Sequence, residues 1–494
     1  MNLFFTPKDA KAGDVIPFFN EKTKMFDHYY LKHWNPGTPK EEDKLRWHRL
    51  TTGDHRVFTE TPVNICGGTG TVIRSGGMYH MFYCTFDDKP QAQWIRHAVS
   101  RDLTDWQDIL EDKFGPDGII YRMTDWRDPF VFWNQEAGKW WMLVAARENR
   151  PTERNGCVAL CVSDDLSRWE YEKPLYSPGI YPAANECADL FQMGEWYYLV
   201  YSNYCDGFGT YYRMSKSPGG PWIRPAVDTF DGRAFYAGKT VSDGVSRYIY
   251  GWNPTRGENP WKFDPGKDYG KDYTCWNWGG TIIVHKLVQH EDGTLGVCPA
   301  DSVAGAFGPG EKTWWKPLDG DWRQKGDAVT CSSDNGYASV LCGKLPRQGV
   351  VRAKVKYEGR PGRFGMALQV DEKFDKGYYL MFEPGYQRIE FRSGLRTYES
   401  GGQMFPYGVE MERPLNLEPG REYELELYIE DTIGLLYVNH DVAFGFRMYN
   451  EKDKNLGWFV LDGNIEIRDV EIAGEEFAAA SGYPGAGSGA AHRT

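Results

Sequence analysis

The chain lacks the features that would assign it to a membrane, a nucleic acid or an oxidising compartment. Its first residues, MNLFFTPKDAKAGD, hold no apolar core of the length a secretory signal needs, about 7–15 residues, and no later stretch nears the ~20 apolar residues of a membrane span. These absences predict a cytoplasmic protein. Basic residues are in deficit, 57 Lys and Arg against 69 Asp and Glu for a net charge of -12, so no positive face is available for a phosphate backbone. The ten cysteines, at 66, 84, 157, 161, 187, 205, 275, 298, 331 and 342, show neither dense disulfide spacing nor paired CxxC knuckles. Cys157 and Cys161, four apart in VALCVS, share one face of a strand and read as reduced core residues. The ten histidines include no HExxH, and CGGTGTV (66–72) leads into a strand instead of a helix, which excludes a phosphate cradle. The expectation is no cofactor, no metal, no nucleic acid and no membrane partner; the oligomeric state stays open.

Aromatic residues, by contrast, are abundant: 15% of the chain, with 19 Trp and 31 Tyr. They favour strands, and their flat faces suit sugar rings. A length of 494 residues predicts two domains. Five segments repeat one plan of short polar lead, apolar strand, polar turn and aromatic-rich strand: GDVIPFFNEKTKMFDHYYL, TGTVIRSGGMYHMFYCTF, RDPFVFWNQEAGKWWMLVAAR, ECADLFQMGEWYYLVYS and GKTVSDGVSRYIYGW. With Asp14, Gly70, Asp128, Glu186 and Lys239 as markers, the intervals are 56, 58, 58 and 53 residues, which suits one four-stranded blade per repeat. Strings S-x-D-L-x-x-W ending at Trp106 and Trp169, with a looser echo ending at Trp222, mark a third strand, and Asp102 and Asp165 within them are read as turn formers. The prediction is an all-β chain: a five-bladed β-propeller over 1–304, a Gly- and Pro-containing linker, a β-sandwich over 312–475 and a flexible Ala- and Gly-rich tail over 476–494.

In a propeller the first strand of each blade lines the central channel, so residues at the start of those strands gather at one mouth. Asp14, Asp128 and Glu186 are thereby predicted to share a pocket. Crowded carboxylates raise one another's pKa, and glycoside hydrolysis uses such a group, one carboxylate attacking the anomeric carbon while another delivers a proton to the leaving oxygen. Arg127 is expected to keep Asp128 ionised, and the apolar residues after Glu186 to raise its pKa.

These strings resemble glycoside hydrolase family 32, the invertases, levanases and inulinases, over roughly residues 10 to 300. WRDPFVF (126–132) is similar to the family's R-D-P motif and NECADLF (185–191) to E-C-P-D-L-F. FYAGKTVSDGVSRYIYGW (235–252), WIRHAVSRDLTDW (94–106) and WNWGG (276–280) match further segments in order. The resemblance implies a retaining double displacement at C2 of a fructosyl unit, with Asp14 as nucleophile, Glu186 as general acid and base, and Asp128 as transition-state stabiliser on ring hydroxyls. It also implies a substrate pocket formed by Arg127, Trp94, Thr69, Tyr236, Lys239 and Trp278. Retention predicts reacting carboxylates about 5–5.5 Å apart.

Departures from the family pattern bear on substrate more than on chemistry. The usual N-D-P-N-G reads Gly13, Asp14, Val15, Ile16, Pro17 here, Lys239 replaces Gln, and one extra residue follows Trp94. A small fructoside, a fructo-oligosaccharide or a cyclic difructose fits such a rebuilt pocket. Competing readings are a fructosyltransferase or difructose-anhydride-processing enzyme on the same site, an arabinosidase or xylosidase of family 43 type, and a non-catalytic carbohydrate-binding protein.

Overall fold

The computed structural model describes residues 2–35, 46–86, 93–205, 207–258, 268–272, 274–359, 361–393, 411–451 and 453–475. Regular structure among the described residues is almost entirely strand, with helix confined to single turns at Leu110–Asp112 and Asp301–Ala304. All five predicted hairpins form. In the second, Gly76 and Gly77 take φ of 55° and 82°, the left-handed pair a two-residue turn between twisted strands requires.

Strands up to residue 299 fall into five antiparallel meanders. Their first strands are Ala10–Ile16, Gly70–Ser75, Tyr121–Asn134, Glu186–Met193 and Tyr236–Ser242, and each touches the next in an unbroken cycle that returns to the first. This ring is a five-bladed propeller with those strands innermost. Blades five and one are zipped into one sheet where Ala12 pairs with Gly280.

Blade four departs from the expected four strands, having three, Glu186–Met193, Trp196–Asn203 and Gly209–Ser215. Pro218, Pro221 and Pro225 follow, and without amide hydrogens they leave only isolated bridges at Met214–Ile223 and Tyr211–Thr229. The S-x-D-L motif is the turn it was read as. Asp102 Oδ1 accepts the amides of Thr104 and Asp105 at 2.9 Å, Asp165 Oδ1 those of Ser167 and Arg168 at 3.0 and 2.9 Å, while Leu103 and Leu166 turn to positive φ. Cys157 and Cys161 are buried on Gly156–Ser163, and no described cysteine is in a disulfide.

From Glu311 onward the strands form a sandwich around one large apolar core that includes Trp458, Phe364, Phe382, Phe391 and Phe446. The long strand Asn455–Glu475 serves both layers, pairing with Arg363–Val370 through its first half and with Gln348–Glu358 through its second. The proposed tail, 476–494, lies outside the described residues. The predicted linker contributes a single helical turn, Asp301–Ala304.

Sandwich and propeller meet through buried polar contacts. Arg447 donates to the carbonyls of Pro254 and Asn253 at 2.8 and 3.0 Å and to the Thr281 hydroxyl at 3.1 Å, and Arg413 donates to those of Phe230 and Thr229 at 2.7 and 2.8 Å. Removing either guanidinium strands buried acceptors. Arg447→Met is expected to lower stability by about 2–4 kcal/mol, measured as a lower urea midpoint with an unchanged slope.

Candidate active site at the propeller mouth

Four of the five innermost strands carry the same irregularity. Pairing skips from Ala12 to Val15, Arg127 to Phe130, Glu186 to Asp189 and Tyr236 to Lys239, while the partner strand advances by two residues in each case. One extra residue per strand is a β-bulge, which re-aims consecutive side chains. Asp128, Cys187 and Ala237 inside these bulges adopt φ of 59°, 52° and 56°. The blade-two strand pairs without a skip and supplies no acid.

This register corrects the expectation that the marker residues are equivalent. Glu186 stands before its bulge, Asp128 is the first residue within one, Asp14 the second, and Lys239 the residue after. The three acids nevertheless converge. Asp14 is acted on by both Asp128 and Glu186, and Asp128 by Glu186. Trp252 Nε1 donates to Asp14 Oδ1 at 3.0 Å, Tyr236 Oη donates to Glu186 Oε2 at 2.6 Å, and the Cys187 amide donates to Asp128 Oδ2 at 3.1 Å. Burial, then repulsion from Asp128, pushes Asp14 up to about 7 despite the Trp252 bond.

Arg127 also goes elsewhere than expected. Its Nη2 and Nε donate to Glu186 Oε1 at 2.9 and 3.3 Å and its Nη1 to Asp125 at 2.5 Å, whereas Asp128 lies 3.9 Å away. At Asp128 burial outweighs the guanidinium, and its pKa is raised. Glu186 is held by Arg127 and Tyr236, and not by the apolar residues that follow it in the chain. The bulge explains both, because the turn at Asp128 directs adjacent side chains to different partners.

Among the remaining candidates, Tyr236 sits in an aromatic arc. Phe208 stacks on it at 4.2 Å, and Trp252 and Trp278 continue the arc at 5.2 and 6.1 Å between successive ring centroids. Trp278 lies directly on Gly13, where an added Cβ would be 2.1 Å from the indole. Thr69 is buried, its hydroxyl without a partner among the described residues. Two candidates make no hydrogen bond to the acids among the described residues. Trp94 packs on Gly115 under Lys113, whose Nζ is 4.3 Å from the ring, while its neighbour Gln93 accepts from Arg127 Nη1 at 3.4 Å. Lys239 is 2% exposed and lies deeper in the channel, donating to the Gly70 carbonyl at 3.0 Å.

Trp252, Phe208, Gln93 and Asp125 belong to the site and were not singled out from the sequence. Trp252 closes the YIYGW strand opposite Tyr236, a pairing that the hairpin alone could have revealed. No group of three or more metal-ligating side chains occurs among the described residues.

Contact between Gly13 and Trp278 makes a pairwise prediction. Gly13→Asn is expected to cost about 1–3 kcal/mol by overpacking, and Trp278→Ala in the same chain to recover at least ~1 kcal/mol of that, read from a double-mutant cycle in urea.

Residues 109–262 match the family model described as glycosyl hydrolases family 32 N-terminal domain. The chain is similar to sucrose-6-phosphate hydrolase of Escherichia coli, 23% identical over 310 residues covering 56% of this chain and 59% of that protein. It is also similar to the levanbiose-producing levanase of Bacillus subtilis strain 168, 24% identical over 290 residues, 43% of this chain and 51% of that one. The chain thus spans between half and three-fifths of these curated relatives. A solved β-fructofuranosidase of Aspergillus kawachii, complexed with glycerol, superposes with a TM-score of 0.72 at 14% identity, covering 96% of this chain and 94% of that one, a likeness of fold. The matched residues include the strands that carry Asp128 and Glu186, and over them the chain is similar to glycoside hydrolase family 32.

Proposed function

We propose that this protein is a retaining glycoside hydrolase that releases fructose from a small fructoside or fructo-oligosaccharide. The carrying observation is the convergence of Asp14, Asp128 and Glu186, each with its own donor, from three different innermost strands. Asp14 attacks the anomeric C2, Glu186 protonates the leaving oxygen and then activates water, and Asp128 accepts hydrogen bonds from ring hydroxyls. Arg127 and Tyr236 hold Glu186 from both sides and fix the direction of proton delivery. The Thr69 hydroxyl and the faces of Phe208, Trp252 and Trp278 suit a sugar ring with polar edges and an apolar flank.

The relatives' names, a sucrose-6-phosphate hydrolase and a levanase, support a fructosyl group as the common element. Replacement of polar neighbours of the nucleophile by Gly13 and an overlying indole narrows the pocket and favours a small substrate. In this reading residues 1–304 form the catalytic propeller, 312–475 the sandwich, and the enzyme meets its substrate in the cytoplasm. No described helix is long and apolar enough to cross a membrane.

Sucrose, inulin- and levan-type oligosaccharides and difructose anhydrides, assayed for released fructose, test the proposal. Asp14→Asn and Glu186→Gln are each expected to lower kcat/KM at least ~10³-fold. Turnover by either variant at near wild-type rates, or release of arabinose or xylose alone from aryl glycosides, contradicts it. Because the attacking Asp14 must be ionised and is raised to about 7, kcat/KM is expected to fall as pH drops through about 7. A profile flat down to pH about 5 would show that another group attacks.

A further inference from the structure

Lys239 occupies a position where a charge is costly. It is 2% exposed, and its ammonium donates to the carbonyls of Gly70 and Ala188 at 3.0 and 3.4 Å and lies 5.4 Å from the centroid of Phe130. Gly70, Phe130 and Ala188 are on the innermost strands of blades two, three and four, and Lys239 itself is on that of blade five. Four of the five strands around the axis therefore meet at one ammonium. The register after each bulge puts Val15, Phe130, Asp189 and Lys239 at equivalent depth, and Val15 and Phe130 show that an apolar residue fills this level. A buried ammonium costs several kcal/mol in desolvation, and packing alone does not call for it.

We infer that Lys239 is a positioning residue, the axial counter-charge that makes three carboxylates tolerable in one pocket and leaves Asp14 free to attack. The inference rests on the hydrolytic reading of the site. Asp14 is faced by the Cys84 thiol from blade two, by Asp128 from blade three, by Glu186 and the Cys187 thiol from blade four, and by Lys239, Tyr236 and Trp252 from blade five. Of these, Lys239 is the cation acting on Asp14, and it opposes the burial and the two acids that favour the protonated form. It acts in the same sense on Asp128, together with Arg127, and on Asp189. Arg127 is already engaged with Glu186 and Asp125, so the Trp252 bond and the axial charge are what favour the ionised form of Asp14. The ammonium makes its hydrogen bonds to backbone carbonyls, so its field reaches the acids without a contact that substrate would have to break.

The sign of its removal follows directly. Without the positive charge the protonated form of Asp14 persists to higher pH, so the loss of activity is largest on the acid side and shrinks as pH rises. Three variants decide it: Lys239→Gln and Lys239→Met, which are neutral, and Lys239→Arg, which keeps the charge. Two readouts apply to each, kcat/KM against pH on sucrose and levan oligosaccharides, and an infrared titration of the Asp14 carboxyl from difference spectra against the same background carrying Asp14→Asn. In both neutral variants the acid limb and the carboxyl midpoint are expected to rise by about one pH unit, with the arginine variant staying at the wild-type position. A uniform fall in rate with limb and midpoint unmoved would reduce Lys239 to a mechanical tie between blades and overturn the inference, as would loss of the fold in both neutral variants. If the wild type turns over no fructoside, the proposed activity fails, while the infrared midpoint still decides the role of Lys239.

Discussion

Everything at the mouth of the propeller depends on one backbone device, the single extra residue inserted in four innermost strands. A regular strand sends alternate side chains to opposite faces, so two neighbouring residues never serve the same pocket. The bulge breaks that alternation. Arg127 and Asp128 both reach the site although adjacent in sequence, and the Cys187 amide turns inward to Asp128 while Glu186 beside it engages Tyr236. Positive φ at Asp128, Cys187 and Ala237 is the local strain that this arrangement carries, and the surrounding ring of strands holds it in place.

Electrostatics then decide what the pocket can do. Carboxylates brought together from separate blades repel one another's charge, and burial with that repulsion raises Asp14 and Asp128. Asp14 has an indole N–H, Asp128 a backbone amide, and Glu186 a guanidinium and a phenol. In the proposed mechanism this inequality is what separates the roles of nucleophile, stabiliser and proton carrier among residues of one chemical type. The aromatic arc from Phe208 to Trp278 closes the low-polarity side of the pocket and supplies two of those donors.

Much of this was legible in the sequence, for identifiable reasons. Hairpins show because strand alternation, Gly-rich turns and aromatic enrichment coincide in each repeat, and the fivefold spacing then places Asp14, Asp128 and Glu186 at one mouth. The capping serines and aspartates of S-x-D-L were readable because their bonds are local. The bulges were not, since an extra residue within a strand leaves no compositional mark, and aligning the acids by type concealed that they hold three different positions. For the same reason Lys239 read as a pocket residue, although it falls three residues beyond the level of Glu186 in that register. The partner of Arg127 and the direction of Trp94 are tertiary facts that adjacency in the chain misrepresents. Blade four lost its fourth strand to prolines visible in the sequence, whose effect is overridden when a repeat is matched only by its hairpin.

The sandwich is fastened to the ring by arginines that reach backbone carbonyls of blade five and the segment before it, so it braces Arg247–Gly257, the strand paired with the one bearing Tyr236 and Lys239, and makes no hydrogen bond to the acids among the described residues. The account as a whole comes down to which carboxylate forms the bond to sugar. Mass spectrometry of peptides from the Glu186→Gln variant, quenched during reaction with a fructoside bearing a good leaving group, measures this directly. The account requires one hexosyl unit on the peptide that contains Asp14; an adduct on the peptide carrying Asp128, or on any other, would contradict it.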